Sequence, residues 1–179
     1  MTFLIWLAHV IDCFNDMVGR KIAWLALAMA SVQFIVVLMR YVFGASEIWL
    51  QESILYMHGA LFMLGAGYTL LHNGHVRIDI FYRPASPTRK AWVDLIGVFI
   101  FLAPICIAIF YITWSYVADS WAIWEGSRET SGIQAVYLLK TVILAFAALL
   151  FLQGISMAIH AASVLLGCET PKIESLRRP

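Results

Sequence analysis

The sequence predicts an all-α membrane protein with four transmembrane helices, an N-terminal amphipathic surface helix and both termini in the cytoplasm. Three observations carry that expectation. Of 179 residues, 62% are hydrophobic and 13% charged, against about 45–50% and 25% in a soluble domain. The charges cluster, leaving long runs without Asp, Glu, Lys or Arg. No run shows the strict alternation of a membrane β-barrel. A net charge of +1 offers no basic field for nucleic-acid phosphates, so that function class is excluded.

The first element is the surface helix, about residues 3–17. Phe3, Leu4, Trp6, Leu7, Val10, Ile11 and Phe14 recur at helical spacing opposite Asp12, Asn15 and Asp16. That pattern reads as a helix lying in the membrane interface. Thr2 and Phe3 do not give the basic start of a signal peptide, so this segment is not read as one. The sequence Leu165-Leu166-Gly167-Cys168 mimics a lipoprotein cleavage box, but at the wrong end of the chain.

Four spans follow. The charge-free runs are Ile22–Met39, Ser53–Val76, Leu95–Ala118 and Thr141–Cys168. A span needs about 20 apolar residues for a hydrocarbon core of about 30 Å. Lipid cannot satisfy backbone polar groups, so each run must be a helix. With flanking turns the spans become about 22–43, 53–76, 93–118 and 138–166, one domain over 1–179. The first is short and lengthens by a turn if Arg40 snorkels to the interface. Lys and Arg number nine in the segments on the side of the termini and three on the other, which places both termini in the cytoplasm. Trp6, Trp24 and Trp92 then mark the inner interface, and Trp49, Trp121 and Trp124 the outer one.

The connections carry their own signals. Gly44 turns the chain between the first two spans, with Ser46 a candidate N-cap and Glu47 favourable in the first turn. Glu52 falls at the outer edge, where Arg40 is placed to pair with it. Thr88 is a candidate cap of the third helix, after the break at Pro84 and Pro87. Pro104 predicts a kink in that helix. Trp121–Glu125 reads as helical, and Gly126, Ser127, Ser131 and Gly132 as a turn. Cys13, Cys106 and Cys168 are far apart and form no CxxC pair.

The polar residues inside spans are the candidates for chemistry. His72 and His160 fall at matching depth, as a pair holding one haem would. On the fourth span Gln153, Ser156, His160 and Ser163 share a face, beside a small-residue strip of Gly154, Ala158 and Ala162. Small residues let helices approach, and polar ones bond across the gap. The second span carries Gly59, Gly65 and Gly67 in similar strips. No charge-free run contains a carboxylate, and no broken helix pair or inverted repeat marks a midplane substrate site. The polar face therefore reads as packing, with no metal, no cofactor and no catalytic or substrate-binding residue, and the chain as a non-enzyme.

Arg40-Tyr41-Val42-Phe43-Gly44, Trp49-Leu50-Gln51-Glu52, Gly65-Ala66-Gly67-Tyr68-Thr69-Leu70 and Gly74-His75-Val76-Arg77-Ile78-Asp79 stand in order around the second span. This set resembles the DctQ-like small permease subunit of the tripartite ATP-independent periplasmic (TRAP) transporters. The resemblance implies a non-catalytic subunit in a bacterial inner membrane. Its partners would be a large Na⁺-coupled membrane subunit, whose scaffold it packs against and enlarges, and a periplasmic solute-binding protein that it helps dock. The solute would be an organic anion. Carried onto these positions, Arg40, Trp49 and Glu52 would shape the outer partner-facing surface. His75, Arg77 and Asp79 would fix the inner turn. The competing reading is a cytochrome b-like anchor with haem between His72 and His160.

Overall fold

The computed structural model describes residues 2–76, 82 and 84–167. Every regular element among them is helical. Helix α1 runs Thr2–Val42. Helices α2 (Ile48–Leu64) and α3 (Ala66–Leu71) form a second rod, jogged at Gly65. Helix α4 (Pro87–Gly97), a π-helical turn (Val98–Leu102) and α5 (Ala103–Ala122) form a third. Helix α6 (Val136–Leu165) is the fourth. All four rods are long and apolar enough to cross a membrane.

The first rod differs from expectation. Residues 3–17 are helical but do not form a separate surface helix, since α1 is continuous through Arg20 and Lys21. Its 41 residues give a rod of about 60 Å, twice a hydrocarbon core. Its amphipathicity is inverted relative to a helix floating on a membrane. Asp12 and Asn15 are each 1% exposed, whereas Phe3, Trp6, Val10 and Phe14 face outward. The polar side is the packed side.

Helix α6 is the centre of the bundle, in contact with α1, α2, α3, α4 and α5. It runs antiparallel to α1, pairing Ser156 with Ala8 and Gln153 with Asn15. The two chain ends described thus lie at one end of the bundle, called here the Asp12 end. The connections 43–47 and 123–135 lie at the other, the Glu52 end.

The local signals fare variously. Gly44 makes the turn at φ +66°, where a side chain would be strained. The residue at the N-cap of α2 is Glu47, which makes no side-chain cap bond. Ser46 is not the cap; its hydroxyl accepts from Gln51 at 3.0 Å. The cap of α4 is Ser86, accepting from the Arg89 amide, with Pro87 at the first helical positions; Thr88 lies inside the helix. Pro has no N–H and fits the first turn, so the cap moves two residues upstream of Thr88. Ahead of Pro104 the third rod widens into the π turn, a known response to a residue that cannot continue the ladder. The helix expected over Trp121–Glu125 stops at Ala122, and Trp124 takes φ +50°.

Candidate functional site

The most concentrated chemistry lies at the Asp12 end. Asp12, Asn15, Asp16 and Gly19 recur at i, i+3, i+4 and i+7 on α1, one face of a helix. Gln153, Ser156, His160 and Ser163 recur at i, i+3, i+7 and i+10, likewise one face, on α6. The two faces meet. Asp12 accepts from Gln153 Nε2 at 2.9 Å, from Ser156 Oγ at 2.5 Å and from His160 Nε2 at 3.0 Å. Asn15 donates to Gln153 Oε1 at 2.8 Å. A carboxylate whose side chain is 2% exposed is costly in apolar surroundings unless hydrogen-bonded. Three donors meet that need. The sequence reading that no carboxylate stands inside the bundle is therefore corrected: Asp12 does, supplied by the segment assigned to the surface.

One turn further along α1, Asp16 accepts from Arg20 Nε at 2.6 Å and meets His72 Nε2 at 3.0 Å. His72 also lies against the Tyr68 ring, centroids 4.3 Å apart. Asp12 thus ties α1 to α6, and Asp16 ties it to the end of the second rod.

His72 and His160 each present Nε2 to an aspartate on α1. The pair considered for a haem thus makes two separate acid–histidine links in this structure.

Small residues set the close approaches. Gly67 admits the Asn15 side chain; a Cβ there would lie 2.5 Å from Oδ1. That oxygen has no hydrogen-bond donor among the described residues. Gly19, not singled out from the sequence, lies so close to the Tyr68 ring that no side chain fits. A glycine costs about 1 kcal/mol inside a helix, and that cost was the available signal. Gly59 packs on Leu139, and Gly154 admits Leu102 from the π turn. Gly65 marks the jog. Ala158 and Ala162 are not covered by a helix, but floor a groove. Ser163, 1% exposed, donates back to the His160 carbonyl at 2.8 Å.

At the Glu52 end the expected Arg40–Glu52 pair does not form. Arg40 reaches Ser46 Oγ at 3.5 Å. Glu52 instead holds the 123–135 connection, accepting from Ser127 Oγ and, at 2.6 Å, from the Ile133 amide. Tyr56, one turn on, donates to the Ile133 carbonyl at 3.4 Å. The loop folds over α2 because backbone donors outside helices need acceptors, and Glu52 supplies one. Nearby, Lys140 donates to Glu125 and lies 3.9 Å from the Tyr116 ring centroid. The Lys140 ammonium, through that bond, holds the Glu125 carboxyl below its ordinary value. Trp121, Trp124 and Tyr137 stack edge-on beside it. Trp49 is half exposed. Arg40, Trp49 and Glu52 thus share one end, but only Glu52 is built into the bundle. His75 is exposed; Arg77, Asp79 and Cys168 lie outside the described residues. Among the described residues, no group of three or more His, Cys, Asp or Glu side chains is arranged to hold a metal.

A family model described as tripartite ATP-independent periplasmic transporters, DctQ component, matches residues 29–164. No curated protein and no solved structure matches.

Proposed function

The chain belongs to the DctQ component family of the tripartite ATP-independent periplasmic transporters, and from that premise we propose that it is a non-catalytic scaffold subunit of a Na⁺-coupled carrier of organic anions. It packs against the large permease subunit and enlarges that subunit's footprint in the membrane. The observation that carries this reading is how the interior polar groups are used. Asp12, Asp16, His72, Gln153, Ser156 and His160 all bond between helices, which favours holding the bundle together over passing a solute. Meanwhile Trp24, Leu27, Phe34 and Ile35 leave α1 apolar on its outer side, a surface suited to a membrane partner.

In this proposal the Glu52 end faces the periplasm and helps seat the binding protein, with Arg40 and Trp49 at its surface. Glu52 acts by fixing the 123–135 loop. His75, Arg77 and Asp79 form the opposite turn. The chain sits in a bacterial inner membrane with both termini cytoplasmic, as the excess of Lys and Arg on that side favours.

Reconstitution tests the reading. The large subunit, this chain and the binding protein are placed in proteoliposomes, with an organic acid chosen by its ability to stabilise the binding protein. Uptake is expected only with an inward Na⁺ gradient, and is lost when this chain is omitted. Uptake by the other two components alone at an equal rate overturns the proposal.

A further inference from the structure

Helix α1 and the third rod both pack on α6 and make no extensive contact with each other. The gap between them is a groove of about 330 Å³, open along one side. Ile5 forms one wall, Leu95 and Phe99 the other, and Ile155, Ala158 and Ala162 the floor. Its one polar lining residue, Ser163, donates its hydroxyl back to the His160 carbonyl. The lining is otherwise wholly apolar.

We propose that this groove holds one acyl chain of a membrane phospholipid, with the head group at the first turn of α4. Size selects the occupant. The lining on α6 runs from Phe151 to Ser163, about 18 Å along the axis. That matches one leaflet's half of a hydrocarbon core, about 15 Å. An alkyl chain is narrow, apolar and able to enter from the open side. Charge selects the head group. Arg89 and Lys90 stand in the first turn of α4, about 8 Å along the axis from Leu95 and more than about 100° around the helix from it, with the Lys90 ammonium 5.5 Å from the Tyr82 ring centroid; their long side chains favour an anionic head such as phosphatidylglycerol beside that turn. The proposal rests on the membrane partner of the reading above, but not on what the complex carries.

The test uses the full chain, purified with its membrane partner and labelled with phosphatidylglycerol carrying a diazirine in one acyl chain. Adducts are mapped by mass spectrometry. They are expected to concentrate on 95–103 and 151–163 rather than on the outer face of α1 over 24–38. Ala158→Trp displaces at least two methylenes and lowers groove adducts by about tenfold. Ala162→Leu, a smaller change, lowers them in the same direction while helicity stays unchanged. Arg89→Gln with Lys90→Gln removes any preference over the same probe built on phosphatidylcholine. Adducts spread evenly along the helices overturn the proposal, as does groove labelling untouched by both filling variants. Groove residues cross-linked to the partner protein instead of lipid also overturn it. Equal labelling of the unmodified chain by both lipids overturns the head-group assignment.

Discussion

Asp12 and His160 lie 148 positions apart in the chain and meet at 3.0 Å between Oδ2 and Nε2. This contact turns two helices, each carrying a polar face, into one buried seam. It also explains why α1 presents its apolar side outward along its first half. The polar side is needed inside.

Removing the carboxylate should therefore weaken the bundle more than removing any one donor. Asp12→Ala breaks three side-chain bonds, each worth about 0.6–2 kcal/mol between membrane helices. A loss of about 2 kcal/mol or more is expected. Asp12→Asn keeps an acceptor for Gln153 and Ser156 and should lose less. Thermal unfolding in detergent reads both; an unchanged midpoint for Asp12→Ala would contradict the seam.

Gly19 and Tyr68 give a steric test. Gly19→Leu forces the ring away and should cost about 1–3 kcal/mol, the usual range for overpacking. Adding Tyr68→Ala should restore part of that loss. A double-mutant cycle measures the coupling, and strict additivity would mean that the two residues do not meet.

Glu52 gives a local test. Glu52→Ala removes the acceptor of the Ile133 amide and the Ser127 hydroxyl. Faster hydrogen exchange at Ile133 and easier proteolysis within 123–135 should follow, with total helicity unchanged. Exchange that stays slow would show that Tyr56 alone secures the loop.

The Glu125–Lys140 pair sets a pH dependence. The Glu125 carboxyl titrates below its ordinary 4.5 in the folded chain. The stabilisation is present above that ordinary value and is lost as pH falls through the lower, folded one. Thermal midpoints should be insensitive to this pair at neutral pH and decline in acid. Lys140→Met should remove that part of the decline. A Lys140→Met variant with the same acid profile as the parent would exclude the pair as its cause.

The sequence revealed these features unequally, for physical reasons. The four apolar rods were legible because lipid excludes charge from long helices, but charge did not bound the first, since α1 runs on through Arg20 and Lys21. The α6 stripe was legible because helical period puts Gln153, Ser156, His160 and Ser163 on one face. Its partner was not. A polar face on residues 3–17 looks the same whether it meets water or another helix, and only the second polar stripe hinted at pairing. Glu52 found its partner 81 residues away in a loop, beyond any local pattern. Arg40, nearer in sequence, was the wrong choice because the turn at Gly44 directs it to Ser46. Gly154 served helix contact as its type predicts, whereas Ala158 and Ala162 were left facing a groove.

Affinity purification at native expression, from membranes solubilised in mild detergent, tests the proposed scaffold role. A much larger multi-span membrane protein should be recovered in equal molar amount, and should cross-link to a photoreactive residue placed at Phe34 on the outer side of α1. Recovery of this chain alone, with cross-links only to lipid, would overturn that role.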